Sequence, residues 1–349
     1  MEEQVRRFAE NPILSPKDLV PSRAGLEIAC LLNPGVFRFD GKVWLLIRVA
    51  ERPEQTPGVI SFPVLKEGGI EIITINENDP DLKAEDARII NFKGTDYLTT
   101  LSHLRLVCSE DGIHFYQPEG YPLLQGEGEN EVFGIEDCRV AQIGDTYYLT
   151  YTAVSAHGVG VGLRTTKDWK IFEKHGMIIA PHNKDCAIFE EKINGKFYAL
   201  HRPSSVGLGG HYIWLAESPD GIHWGNHKCI VKTRKHQWDS ARVGAGAAPI
   251  KTDQGWLEIY HGANADHQYC LGAFLMDLND PSIVIAQTDE PIMKPTTDYE
   301  LNGFFGEVVF TNGHIINGDV LTIYYGAADE FVCGGRVSIS EILNALKPV

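Results

Sequence analysis

Apolar and polar residues alternate along this chain in short runs bounded by glycine. Six runs share one form, a turn glycine followed by a strand of aromatic and β-branched residues. They are GKVWLLIRV (41–49), GTDYLTTLS (94–102), GDTYYLTYT (144–152), GKFYALHRP (195–203), GWLEIYHGA (255–263) and GDVLTIYYG (318–326). Period-two alternation closed by turn residues predicts half-buried strands joined by tight hairpins. The form recurs at spacings of roughly 50 to 65 residues, a scale that signals propeller blades, whereas a pair of β-sandwiches would not explain the self-similarity. A second repeat, SEDGIHF (109–115), TKDWKIF (166–172) and SPDGIHW (218–224), ends strands in a tight Asp-Gly or Asp-Trp turn with an aromatic to pack back on the sheet. Helical periodicity is confined to the ends, EEQVRRFAE (2–10) and ISEILNALK (339–347). The pattern therefore predicts one all-β domain spanning 1–349, a β-propeller with short terminal helices. The six hairpins do not by themselves set the number of blades.

Composition narrows the partners. A net charge of −16 argues against nucleic acid and anionic membranes, so any bound anion must be captured by local cations. The N-terminus lacks the apolar core of a signal peptide, and no run approaches the ~20 apolar residues of a membrane span. Seven cysteines, an odd number with no CxxC spacing, read as buried free thiols of a cytoplasmic protein. The 13 histidines form no HxH or HExxH pattern, so no metal site is expected. Phosphate-loop and serine-elbow motifs are also missing.

In a propeller the loops entering each innermost strand converge on a central funnel, and the corresponding positions here are polar. They include Asn33, Arg48, Glu136-Asp137 with Arg139, Lys184-Asp185, His201-Arg202, Arg242, Tyr260-His261, Glu307 and Asp329. EDARII repeats the carboxylate pair as Glu85-Asp86 with Arg88, and is read as the structural copy. Taken singly, each residue has an ordinary structural use: an Asp caps a turn, an Arg two residues on pairs with it, and a lone His sits in a core. Lys184, Arg202 and Arg242 are more informative, because three cations at strand ends in an acidic chain predict an anion site.

The motifs NPILSP, LSHLRLVCSEDGIHF, GIEDCR, NKDCAIF, KINGKFYALHRP, WDSARVGAGAAPI, YELNGFFGEVVFTNG and YYGAAD, in this order, resemble glycoside hydrolase family 130, the mannoside phosphorylases and related mannosidases. The likeness covers nearly the whole chain. It departs at Cys138, where the family usually has proline. The resemblance implies a five-bladed β-propeller and an inverting, glycosyltransferase-type reaction on a β-mannoside. Asp137 is then the general acid, acting through the sugar's 3-hydroxyl, while inorganic phosphate attacks C1 and yields α-D-mannose 1-phosphate. By position, Lys184, Arg202 and Arg242 match the phosphate-contacting cations, with His201, Tyr260 and His261 as neighbours. Asn33, Arg48, Arg105, Asp185 and Asp329 match mannose-binding positions, Glu136 and Glu307 join the substrate side, and Arg139 holds the Asp137 loop. One carboxylic acid suffices for such a reaction, because phosphate replaces water and its general base. Glu136 is expected to raise the pKa of Asp137 so that it carries a proton at neutral pH.

The partners implied are an oligosaccharide and phosphate as co-substrate, with no cofactor; assembly into a homo-oligomer is left open. A hydrolase of the same fold, with Glu307 activating water, is the first rival, and a non-catalytic sugar-binding propeller a remote one. The physics of these residues does not separate β-1,2 from β-1,4 linkage, so a β-1,4-mannosyl-glucose or GlcNAc phosphorylase also stays open. The likeness of LSHLRL, NKD and FFGEVVFTNG leans towards β-1,2-mannobiose and oligomannan phosphorylases.

Overall fold

The structure, a computed structural model, describes residues 4–67, 69–83, 89–204 and 207–349. It is built almost wholly of antiparallel strands. Five sheets follow one another along the chain. The first contains Leu26–Phe39, Lys42–Pro53 and Leu101–Ser109; the second Ile135–Ile143, Thr146–Ser155, Gly158–Thr166 and Glu173–Ile179. The third contains Asn183–Ile188, Phe197–Pro203, Ile213–Ser218 and Gly225–Val231. The fourth is built on Gly255–Ala263, which pairs with Arg242–Ala245, Ile250–Thr252 and Tyr269–Met276, and continues through Val284–Thr288 to Leu346–Pro348. The fifth holds Val309–Asn317, Val320–Ala327, Phe331–Ser338 and Arg6–Arg7. Two small sheets, among them the hairpin of Val59–Lys66 and Gly69–Asn76, interrupt the first sheet before its last strand.

The hairpins form for local reasons. Asp40 and Gly41 both take positive φ, 50° and 73°, as a two-residue turn with the twist of its flanking strands requires. The second repeat forms one motif three times. Ser109, Thr166 and Ser218 accept from the backbone N–H of Gly112, Trp169 and Gly221, and Asp111, Asp168 and Asp220 each accept from two N–H groups just beyond. Trp169 is fully buried and stacks on Phe37 with ring centroids 3.6 Å apart, so the turn staples the second sheet to the first.

The first strands of successive sheets touch in order. Leu26–Phe39 meets Ile135–Ile143, which meets Asn183–Ile188, which meets Arg242–Ala245. Val309–Asn317 touches both Gly255–Ala263 and Leu26–Phe39. Glycine permits the closest approaches: a Cβ on Gly35 would lie 2.8 Å from the Cys138 carbonyl, and one on Gly313 would lie 2.5 Å from the Val36 nitrogen. Apolar clusters fill the spaces between sheets, such as Phe37, Trp44, Leu104, Tyr147 and Trp169 between the first two.

The helix expected over 2–10 is not formed by its described part. Arg6–Arg7 is a strand that pairs Arg6 with Arg336, while Val5 and Phe8 bury themselves against Gly335 and Gly334. Pairing with an open sheet edge satisfies the same backbone groups and buries more apolar surface than a nine-residue helix standing alone. The C-terminal helix is present as Ile339–Ala345, capped by Ser338, whose Oγ accepts from the Glu341 N–H. Six of the seven cysteines are buried, Cys229 is half-buried, and all are free thiols. Among the described residues no helix is long and apolar enough to cross a membrane.

Candidate active site

Three of the first strands break their ladders at one point, and each break carries a polar residue with left-handed backbone. Register shifts fall between Leu32 and Gly35, Glu136 and Arg139, and Lys184 and Ala187. Within these gaps Asn33, Asp137 and Asp185 have φ of 36°, 47° and 53°. A bulge re-aims a side chain that regular alternation would send elsewhere, and here three bulges aim at one place. All three residues line a cavity of about 360 Å³, together with Arg48, Glu136, Lys184, Arg202, Arg242 and Asp329.

At one part of the wall, Arg48 ties the two adjacent carboxylates together. Its Nη2 donates to Glu136 Oε1 at 2.8 Å and its Nη1 to Asp137 Oδ1 at 3.1 Å, while Nε is held by Ser102 Oγ at 2.9 Å. Asn33 Nδ2 donates to the same Asp137 oxygen at 3.1 Å. Burial by itself would raise the pKa of Asp137, but the charges of Arg48, Lys184 and Arg139, helped by the Asn33 hydrogen bond, hold it below the usual aspartate value. This reverses the expected effect of Glu136, because Arg48 takes up the Glu136 charge.

Lys184 and Arg202 are direct cross-strand partners in the third sheet, and Arg242 starts the fourth. Arg202 Nε lies 3.0 Å from Asp185 Oδ2, and its Nη1 is buried without a hydrogen-bond partner among the described residues. Arg242 is steadied by Tyr269, whose hydroxyl accepts from Nη1 at 2.9 Å, and its Nε is likewise buried and unpartnered. The Lys184 side chain makes no hydrogen bond or ion pair among the described residues. Asp185 is the carboxylate that pairs with Arg202. Burial works against its ionisation, yet Arg202, Arg139 and His261 hold it far below the ordinary carboxylate range. Cations with buried, unpartnered donors fit a multiply charged oxyanion.

Arg139 serves the backbone. It donates to the carbonyls of Asp137, Ala245 and Gly246 at 2.9, 2.8 and 3.0 Å and to Asp185 Oδ1 at 3.2 Å, so it pins the Asp137 bulge. Cys138, the other residue within that bulge, is fully buried.

Other expected residues lie elsewhere. His201 follows strand alternation to the opposite face from Arg202, where its ring nitrogens meet Asn183 at 3.0 Å and His227 at 2.9 Å in a separate groove. Tyr260 belongs to a buried cluster with Asp239, Arg234 and Gln287, and is not part of the cavity wall. Arg105 faces away from the cavity, bonded to Glu51 and the Val20 carbonyl. His261 sits one layer behind, its Nε2 3.3 Å from Asp185 Oδ2. Glu307 is exposed beside the cavity residue Val308, and its carboxylate accepts from Gln268 at 3.4 Å. The Glu85-Asp86-Arg88 copy lies outside the described residues.

Sequence reasoning missed Ser102 and Tyr269, which orient Arg48 and Arg242, and His211. His211 is bridged to Arg242 and has its pKa lowered by burial and then by Arg202, Arg242 and Lys184. It missed as well Leu98, Val154 and Val159, which line the cavity together with Phe304, Phe305 and Phe310 of the FFGEVVFTNG segment.

A carboxyl group and a cluster of cations sharing one cavity in an all-β fold equip an enzyme that moves a group between a neutral substrate and an anion. The chain belongs to glycoside hydrolase family 130, whose sequence model, described as beta-1,4-mannooligosaccharide phosphorylase, matches residues 87–348. It is 47% identical over 350 residues to a beta-1,2-mannobiose phosphorylase of Listeria innocua, covering 98% of each chain. It is 40% identical to a 1,2-beta-oligomannan phosphorylase of Thermoanaerobacter, over 69% of this chain and 80% of that one. A structure of the Listeria innocua enzyme with beta-1,2-mannobiose superposes with a TM-score of 0.94 at 46% identity, covering 99% of both chains. A structure from work on family members that hydrolyse beta-1,2 mannosidic linkages in Candida mannan has a TM-score of 0.74 at 22% identity and shares the fold.

Proposed function

We propose that the chain is an inverting phosphorylase of β-1,2-linked mannobiose or oligomannan, a glycosyl-transferring enzyme that releases α-D-mannose 1-phosphate and a shortened sugar. The observation that carries this reading is the pairing of Asp137 with Lys184, Arg202 and Arg242 in one cavity. The kinship to phosphorylases of β-1,2-mannosides supports the linkage. We take the five sheets, with first strands touching in order, as five blades of a single propeller domain. We place its work in the cytoplasm, where free thiols persist.

Asn33, Arg48, Glu136 and Asp329 surround the mannose to be transferred, and the apolar wall with Phe304 and Phe305 receives the leaving sugar. Asp137, in its protonated form, gives its proton by way of the mannose 3-hydroxyl to the glycosidic oxygen as the bond from C1 breaks. A phosphate oxygen, held by the three cations, closes on the other face of C1. The hydrogen phosphate's own proton then passes to solvent, so substrate and dianion become mannose 1-phosphate dianion and a free hydroxyl. No cofactor beyond phosphate enters.

The test is incubation with β-1,2-mannobiose, β-1,2-mannotriose and β-1,4-mannobiose, with and without phosphate, followed by product analysis. The expected result is α-mannose 1-phosphate from the β-1,2 sugars and near silence without phosphate. Sustained release of free mannose in phosphate-free buffer would establish the hydrolase, and preference for the β-1,4 sugar would overturn the linkage.

A further inference from the structure

The acid of this site is held as a carboxylate by its surroundings, yet it must donate a proton. Asp137 is faced from the first sheet by Arg48 and Asn33, and from its own strand by Glu136 and Arg139. Lys184 and Asp185 approach it from the third sheet, and Asp329, Arg202 and Arg242 complete the charged wall. Most of these cations are committed. Arg48 is bound to Glu136, Asp137 and Ser102; Arg139 to three carbonyls and Asp185; Arg202 to Asp185; Arg242 to Tyr269. Lys184 differs. Among the described residues it is the cavity-lining cation whose side chain has no hydrogen bond or ion pair, its backbone stands directly across the ladder from Arg202, and its charge reaches both Asp137 and His211.

We propose that Lys184 couples phosphate binding to the protonation of Asp137, so that the acid is loaded only when the nucleophile is in place. Resting on the phosphate site proposed above, the coupling works as follows. Without an anion the Lys184 ammonium falls on Asp137 and keeps it ionised. A bound dianion takes up that charge and adds two negative charges to the cavity, and Asp137 draws one proton from solvent. That proton leaves with the sugar, and the proton lost by hydrogen phosphate after its oxygen bonds to C1 restores the balance. A water molecule in the same position carries no charge, leaves Asp137 ionised, and finds no donor for the leaving oxygen. Suppression of hydrolysis thus follows from a lysine whose ammonium group is held by none of the described residues. Lys184 is here a positioning residue for the proton, acting through Asp137.

Sulfate is the probe, since it is a dianion that does not titrate near neutrality. Titration calorimetry of the intact protein at pH 6.5 in buffers of different ionisation enthalpy counts protons taken up on binding. The expectation is about half a proton or more for the wild type, a value near zero for Asp137→Asn, and less than half the wild-type count for Lys184→Met at sulfate saturation. Infrared difference spectra of the wild type should gain a protonated-carboxyl band with sulfate, a readout that needs no variant. Sulfate binding with equal proton counts in wild type and Asp137→Asn, or with no carboxyl band, overturns the coupling and leaves the phosphate site standing. An unchanged count in Lys184→Met removes Lys184 from the role. Failure of both sulfate and phosphate to bind overturns the coupling together with the phosphate site.

Discussion

Asn33 and Asp137, 104 residues apart in the chain, meet through a 3.1 Å hydrogen bond, and each sits on a bulge in the first strand of its own sheet. The contact fixes one oxygen of the carboxyl group, which Arg48 Nη1 shares at 3.1 Å. The first sheet therefore fixes the position of the acid and, with Lys184 and Arg139, its charge, while the second sheet supplies the residue.

Asp137→Asn keeps the shape and removes the proton. Turnover should fall by at least the ~100-fold typical of general acid catalysis, with substrate binding largely kept. Glu136→Gln should do less damage, since it leaves Asp137 bonded to Asn33 and Arg48. Steady-state kinetics on β-1,2-mannobiose decides this, and a near-normal Asp137→Asn would put the acid elsewhere.

Arg202→Ala and Arg242→Ala should each raise the Michaelis constant for phosphate far more than that for mannoside. Losing a charge-assisted contact costs about 2–4 kcal/mol, or roughly 30- to 1000-fold. Tyr269→Phe, which removes only the 2.9 Å anchor of Arg242, should act in the same direction by about 1 kcal/mol. Equal effects on both constants would mean a collapsed cavity.

Arg139→Met should act on stability more than on phosphate affinity. It strips donors from three carbonyls and leaves Asp185 short of a partner, at a cost of about 3–5 kcal/mol. Denaturant unfolding should show that loss, and adding Asp185→Asn should recover part of it.

Acid should weaken the fold well before the carboxylates titrate. Burial, with Arg105 or His227 nearby, pushes the pKa values of His103 and His201 down to about 3; burial with Arg202 and Arg139, against Asp185, takes His261 to about 4. Above about 6.5 these histidines are neutral folded or unfolded, and contribute no pH dependence. Below it the unfolded chain takes up protons that the folded protein refuses, so stability falls continuously towards pH 3–4. At pH 5 each costs about 2 kcal/mol. Unfolding midpoints at pH 7 and pH 5 should differ accordingly, and His201→Gln should flatten the slope.

Glu307→Gln should leave phosphorolysis largely intact, because Glu307 is exposed beside the cavity and its carboxylate is engaged by Gln268. Abolished turnover in this variant, with free mannose as the wild-type product, would mark Glu307 as a base for water.

Much of this molecule is legible in the chain because it is local. Alternation, the Asp40-Gly41 turn and the thrice-repeated Asp turn depend on residues within a few positions of each other, and they specify hairpins without help from the rest. The residue types of the chemistry, paired carboxylates and strand-end cations, are legible for the same reason. What a strand residue faces is decided otherwise. Alternation says that His201 and Arg202 point to opposite sides, but which side is the cavity depends on the neighbouring sheet. Asn33, Asp137 and Asp185 reach it through bulges that a pattern of period two cannot express, and they are held by partners from other sheets, Asn33 and Asp137 across 104 residues and Asp185 and Arg139 across 46. The charge on Asp137 likewise comes from Arg48, 89 residues earlier, and from Lys184, so an adjacent Glu136 predicts the wrong direction. At the N-terminus, helical spacing over 2–10 yields to an open sheet edge that exists only once Phe331–Ser338 is in place. The chain determined its strands and its reagents through short-range backbone and side-chain preferences. Only packing decided which reagents share a cavity, because Coulomb interactions and edge pairing act across space and not along sequence.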